Sequence, residues 1–439
     1  MNNYKKIVLQ NGVTLYLFND KKLKQTFVSY SINYGSSGKW FDFEYDKTKY
    51  HVGPGYAHFL EHLLGEHSKY GNIYNKFSNN NYKHNGITSL NSTCYYFYGI
   101  KNIKESIREL IEAIDMPIFT EKDVEESKKA IREEAKMSCD KNVIFLYNLL
   151  HRNLYPDFDY FHESLSAIGN EQITNDINFE LLKVCYDAFY YDENKTLLIA
   201  GNINEQEIIN YVNEIYAKIP KHEKKLVEYN YNSLDIREKE ATIERNVFHE
   251  FNGLGIKIKI PEGFGCKEMH YFNYIIYQKN LKSSSDLMIK FMKNGIIESN
   301  ITSSIELNKN TIDLVIIVNS LNFNLFISEL LENLKEFKVD EREFELMKKV
   351  MIANEIRNSE NKYKNFKSFT YKKEYSEDFL DIQFIKDLDY NRFNNYLAAL
   401  NYDNYVIANM INSEEEHTKK LKKVIFECQI WLFLLFLVI

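Results

Sequence analysis

The run Gly53 to Gly65, GPGYAHFLEHLLG, places His58, Glu61 and His62 within one short apolar segment whose leucines and phenylalanine read as a helix. On a helix, residues i and i+4 are neighbours and i+3 lies beside them, so both imidazoles reach one point and the carboxylate stands next to it. Two neutral imidazoles suit a borderline ion such as zinc, and a carboxylate that is not a ligand suits a general base acting on water.

Two imidazoles do not close a catalytic zinc site, which takes three protein ligands. The acid-rich helix EKDVEESKKAIREEAKMSCD, Glu121 to Asp140, offers Glu133 and Glu134 as the third. Glu134 shares its face with Ser127, Ala130, Ile131 and Ser138, small or apolar residues able to sit against another helix. Glu133 shares its face with Glu126, Lys129 and Lys136, a solvated charged surface. The spacing predicts Glu134 as the ligand.

The composition sets the frame. At 439 residues the chain suits about two domains of roughly 200 residues each. Its 33 Tyr and 30 Phe against 16 Gly and 5 Pro argue for long helices and well-formed strands, not disorder. A formal charge of -7 with signs mixed throughout leaves no basic stripe, so no nucleic-acid partner is expected. The five cysteines are odd in number and have no C-x-x-C pair, which points to a reducing compartment and against a disulfide framework. The N-terminus alternates apolar and polar residues as a strand does, so a cytoplasmic protein is expected. The apolar end, Ile430 to Ile439, is shorter than the roughly 20 residues of a membrane span, so membrane association is not expected. A buried last helix, a membrane-dipping tail and an artefactual terminus all stay open for it.

Along the first half, strand patterns at Lys6 to Phe18 (turning at Asn11-Gly12) and Thr26 to Tyr34 lead through a loop to His51 and the motif helix. Paired strands at His84 to Leu90 and Thr93 to Ile100 follow, then helices from Lys104, Glu121, Asn142 and Asn178, a strand at Thr196 to Ala200 and a helix from Asn204. Charged and polar residues dominate from Pro220 to Glu244, as in an exposed linker. The second half repeats the order, but its corresponding helix, EMHYFNYIIYQKN, has no His-x-x-Glu-His. The fold expected is α+β, with two homologous sheet-and-helix domains: a metal-binding domain over 1–220, a linker over 221–244, a motif-free copy over 245–412 and a tail over 413–439.

Five stretches in this order and spacing carry a resemblance: PGYAHFLEHLLGE (Pro54 to Glu66), NGITSLNSTCYYF (Asn85 to Phe97), AIREEAKM (Ala130 to Met137), HESLSAIGNEQI (His162 to Ile173) and FYYDENKTLLIAGNI (Phe189 to Ile203). The chain resembles the pitrilysin/insulinase family of inverted-zincin metallopeptidases, which includes the mitochondrial processing peptidase. Through FMKNGIIESN, Phe291 to Asn300, it is most similar to bacterial half-length members of the YmfH type.

The resemblance implies a clamshell of two domains with one zinc per chain, held by His58, His62 and Glu134. It implies that Glu61 takes a proton from zinc-activated water and returns it to the leaving amine. It also implies that Asn85 and Thr88 lie on a strand that receives a peptide substrate by strand addition. Two departures stand out. Relatives commonly carry a supporting glutamate seven positions before the glutamate ligand, where this chain has Ser127, with Glu126 as a substitute. Many also carry an Arg and a Tyr in the second domain, where Phe291 and Glu298 stand here, with Lys290 and Lys293 nearby. The second departure implies a partner of the same fold lacking the motif, or a homodimer. A zinc endopeptidase is therefore expected, and the alternative from a different class is a catalytically weak or inactive scaffold or assembly subunit.

Overall fold

The computed structural model describes residues 4–36, 42–53, 55–89, 91–139, 141–155, 171–228, 234–247, 249–307, 310–360, 363, 366–367, 369–370 and 380–413. Residues 162–170 of the fourth resemblance stretch and the apolar run 430–439 lie outside them. Mixed sheets and helices make the chain α+β, and they form two compact units. The first unit comprises 1–140, 160–232 and 340–390, and the second 141–159, 233–339 and 391–439.

In the first unit, β1 (Tyr4–Val8), β2 (Thr14–Asn19), β3 (Thr26–Ile32), β6 (Lys83–Thr88), β7 (Thr93–Gly99) and β8 (Lys195–Gly201) form a sheet in the order β1-β2-β8-β3-β7-β6. The β2–β8 pair is parallel and the others are antiparallel. One face carries Leu15, Leu17, Val28 and Tyr30 into a core shared with Phe59, Leu60, Leu63 and Leu64 of the motif helix. Because strand side chains alternate, Tyr16, Phe18 and Phe27 point the other way. There they pack with Phe366 and Phe369, which come from late in the chain.

In the second unit, β10 (Glu240–Arg245), β11 (Phe251–Lys259), β12 (Ile297–Leu307), β13 (Thr311–Ser320) and β14 (Tyr405–Asn412) form a sheet in the order β10-β14-β11-β13-β12. Its single parallel pair is β10–β14, so it repeats the strand order β2-β8-β3-β7-β6 of the first unit. Helix α5 (Asn142–Leu154) packs on this sheet from early in the chain. Gly253 and Gly255 on β11 permit that approach, because a Cβ on either would meet Leu150 at 2.8 Å or Leu154 at 3.1 Å.

Two segments differ from the sequence reading. The stretch before His51 is not all loop: β4 (Asp42–Tyr45) and β5 (Thr48–His51) form a hairpin. Its two turn residues, Asp46 and Lys47, have φ of 47° and 64°, and this left-handed turn matches the twist of the strands. The polar stretch after Pro220 contains β9 (Leu226–Glu228), paired with β4, as well as β10. Leu226 is buried there, a tertiary contact that a charged local sequence conceals.

Candidate metal centre

Helix α1 (Tyr56–Glu66) begins at Gly55, whose φ of 92° favours glycine. Its apolar face is buried, and His58 and Glu61 are carried in with it, 6% and 7% exposed. Helix α4 (Glu121–Cys139) starts at Thr120, whose hydroxyl accepts from the Asp123 N–H at 3.4 Å while Asp123 accepts from the Thr120 N–H at 2.7 Å. Val124, Ser127 and Ile131 on α4 are buried, and the same helical stripe continues to Glu134. Ala130, expected on that face, is exposed, as is Glu133.

Nε2 of His62 lies 3.5 Å, and Nε2 of His58 3.8 Å, from Oε2 of Glu134. Ligand atoms of these three residues lie within 4.8 Å of one another, and they form the one such cluster among the described residues. Tetrahedral zinc with bonds of about 2.0–2.1 Å sets its ligand atoms roughly 3.3–3.4 Å apart, a spacing that the two imidazole-to-Glu134 distances approach within a few tenths of an ångström. The electrostatics also suit a cation. Burial lowers the pKa of His58, and His62 lowers it further. Burial acts the same way on His62, but its contacts with Glu134 and Glu66 more than reverse this and raise its pKa, the mark of a negative field between the two carboxylates.

Glu61 stands beside this cluster. Burial pushes its carboxyl up to about 7, against the opposing effects of His62 and Thr88. The hydroxyl of Thr88, on β6, donates to Oε2 of Glu61 at 2.9 Å. Gly86, two residues earlier, leaves room for that carboxylate: a Cβ there would lie 2.1 Å from Oε1 of Glu61 and 2.3 Å from the Tyr74 hydroxyl. These groups line a cavity of about 490 Å³, together with His58, His62, Glu134 and the β6 residues Asn85 and Ile87. Asn85 is exposed, and β6 pairs only with β7, so it is an edge of the sheet.

Two residues were missed. Glu66, four positions beyond His62, places Oε1 3.1 Å from Nδ1 of His62. The i, i+4 spacing is visible in the sequence, but attention to the motif ends it at His62. His67 joins α1 to α4: its Nε2 contacts Oγ of Ser127 at 3.1 Å and its Nδ1 contacts Asp123 at 3.1 Å. Ser127 therefore serves a contact between helices. Glu126 does not replace the expected acid; it is exposed and pairs with Lys122 at 3.3 Å.

In the second unit, Phe291 on helix α10 (Asp286–Lys293) is fully buried against the ring of Phe326, 5.2 Å away, and Glu298 is exposed. Lys290 lies 3.7 Å from Glu329.

Residues 46–165 match the family model described as Insulinase (Peptidase family M16), and residues 176–351 match the one described as Peptidase M16 inactive domain. The chain belongs to the M16 peptidase family. The Bacillus subtilis protein named zinc protease YmfH is 29% identical over 263 residues, 58% of this M16 chain and 60% of that protein's length. The crystal structure of an M16-like peptidase from Alicyclobacillus acidocaldarius has the same fold, with a TM-score of 0.80 at 22% identity, covering 94% of this chain and 99% of that one. A Helicobacter pylori protease follows at a TM-score of 0.72 and 16% identity, covering 94% and 100%. The model named for an inactive domain matches residues beyond the His-x-x-Glu-His, beginning within the first unit and running through most of the second. No helix among the described residues is long and apolar enough to cross a membrane.

Proposed function

We propose that this M16 chain is a zinc-dependent endopeptidase binding one zinc through His58, His62 and Glu134. The observation that carries the reading is the convergence of those three donors beside a buried Glu61, in a cavity bordered by an edge strand. His58, His62 and Glu134 would hold the zinc, which would supply Lewis acidity toward a peptide carbonyl and a water molecule. Glu61 takes a proton from that water and returns it to the departing amine. Its pKa near neutrality suits both directions of transfer. Thr88 fixes the carboxylate's orientation, and the free edge of β6 around Asn85 orients a peptide by main-chain pairing, with little dependence on side chains. Among the described residues Cys94, Cys185 and Cys266 form no disulfide, and a cytoplasmic location is part of the proposal.

A partner of the same fold, or a second copy, is part of this reading. With Phe291 in a core and Glu298 negative, neither supplies a donor to a developing oxyanion, and each such donor is worth about 3 to 4 kcal/mol. Activity that rises with protein concentration, or on adding a motif-free homologue from the same cell, supports the partner; a monomer at full rate refutes it.

The test of the main reading is Glu61→Gln. The variant is expected to keep one zinc per chain and lose about 10² to 10⁴ in peptide-hydrolysis rate. Hydrolysis at the wild-type rate overturns the assignment. A wild-type protein that holds zinc but cleaves no peptide, alone or paired, favours the scaffold alternative.

A further inference from the structure

We propose that Glu66 is the carboxylate that orients His62 for metal binding, so that this chain carries the orienting acid on the same helix as its two imidazoles. The inference rests on the zinc reading above. His58, His62 and Glu66 follow one another at i, i+4 and i+8 on α1, a single stripe along the helix. His62 turns Nε2 toward Glu134, 3.5 Å away, and Nδ1 toward Glu66, 3.1 Å away. When Nε2 is a ligand the ring proton resides on Nδ1, where it donates to Glu66. That hydrogen bond fixes both the tautomer and the ring plane.

The other acids near the site are committed or remote. Glu126 pairs with Lys122 on an exposed face, Glu133 is exposed, and Ser127 is buried against His67. Nδ1 of His58 is buried and has no hydrogen-bond partner among the described residues. Among the described residues, Glu66 is therefore the one carboxylate acting on the far nitrogen of a ligand imidazole, and its loss has no substitute. An i, i+4 pair that merely supports the helix makes a different prediction: lower helix stability with metal affinity untouched.

The experiment compares wild type, Glu66→Ala and Glu66→Gln, full-length, by zinc titration against a chromophoric chelator, by melting of the metal-free proteins and by the visible spectrum of the cobalt-loaded forms. Glu66→Ala is expected to weaken zinc binding about 10- to 100-fold and to alter the cobalt spectrum, a loss that any fall in metal-free melting does not account for. Glu66→Gln keeps an oxygen acceptor without the charge and is expected to fall between, which keeps the inference testable if the alanine variant folds poorly. Unchanged zinc affinity in both variants, with wild type binding normally, overturns this inference and leaves the zinc reading intact. A wild-type protein that binds no zinc overturns both.

Discussion

Thr88 on β6 donates its hydroxyl to Glu61 on α1 at 2.9 Å, so the strand edge and the proposed proton-transfer group meet at one hydrogen bond. A hydrogen bond to a charged group is worth roughly 1.5–3 kcal/mol, and part of that is orientation of the carboxylate. Thr88→Val is expected to lower kcat about tenfold with zinc content unchanged, and Thr88→Ser to restore it. Steady-state kinetics and metal analysis on the same preparations check this; loss of zinc in the valine variant counts against it.

Gly86 reserves the space that the Glu61 carboxylate occupies. Gly86→Ala puts a methyl 2.1 Å from Oε1 of Glu61, so the carboxylate has to move. Displacements of about 1 Å at reacting groups cost on the order of 10²-fold in rate, and that loss is expected here with zinc retained. Full activity in the alanine variant would place Glu61 outside the chemistry.

Glu134 and Glu133 are adjacent in sequence, but Glu134 is half-buried beside His58 and His62 while Glu133 is exposed. Glu134→Gln is expected to weaken zinc binding by more than the roughly 100-fold that an orienting partner can give, and Glu133→Gln to leave it unchanged. Chelator competition decides between them, and equal affinities would remove Glu134 from the ligand set.

Acid should act on the first unit through Glu112. Burial raises its carboxyl, but hydrogen bonds from Lys69, at 2.8 Å, and Tyr70 outweigh this and hold its pKa below the usual value. A folded pKa below the unfolded one stabilises the fold above the unfolded pKa, and that contribution is lost as pH falls through the folded one. Between about pH 5 and pH 3, wild-type Tm is therefore expected to fall more steeply than that of Glu112→Gln, as scanning calorimetry would record. Parallel curves would exclude the carboxylate's role.

Lys195 is fully buried, 2.9 Å from Asp115 and 3.2 Å from Asp192. Lys195→Met leaves two buried carboxylates without their cation and is expected to destabilise the protein by about 3–5 kcal/mol. Denaturant unfolding measures it; a change under about 1 kcal/mol would mean that water replaces the ammonium.

What the sequence disclosed and what it hid follow the range of the interactions. His58, Glu61 and His62 share one helix, so local periodicity brings them together. Ser127, Ala130, Ile131 and Ser138 are the face on which the sequence prefers Glu134 to Glu133 without any knowledge of the partner helix, and of these Ser127 and Ile131 are buried while Ala130 is exposed. The roles of Ser127 and Thr88 were hidden because their partners, His67 and Glu61, lie 60 and 27 residues away. The β4–β5 hairpin was hidden by Asp46 and Lys47, which adopt a left-handed turn without the glycine or asparagine that announces one. The burial of Leu226 depends on β4, nearly two hundred positions earlier in the chain.

The two units exchange segments along the chain: α5 leaves the early sequence for the second sheet, and Phe366 and Phe369 return from the late sequence to the first. A ribosome delivers the chain from one end, so the first unit's sheet and the helices α1 and α4 that carry the proposed zinc ligands emerge before the late residues that pack on the sheet's second face. Until Phe366 and Phe369 have been made, that apolar face lacks the rings that pack on it, and α5 waits for β11, β13 and β14 of the sheet it packs on. Neither half of the gene therefore encodes a self-sufficient protein. Completion of the first unit is a late event in synthesis.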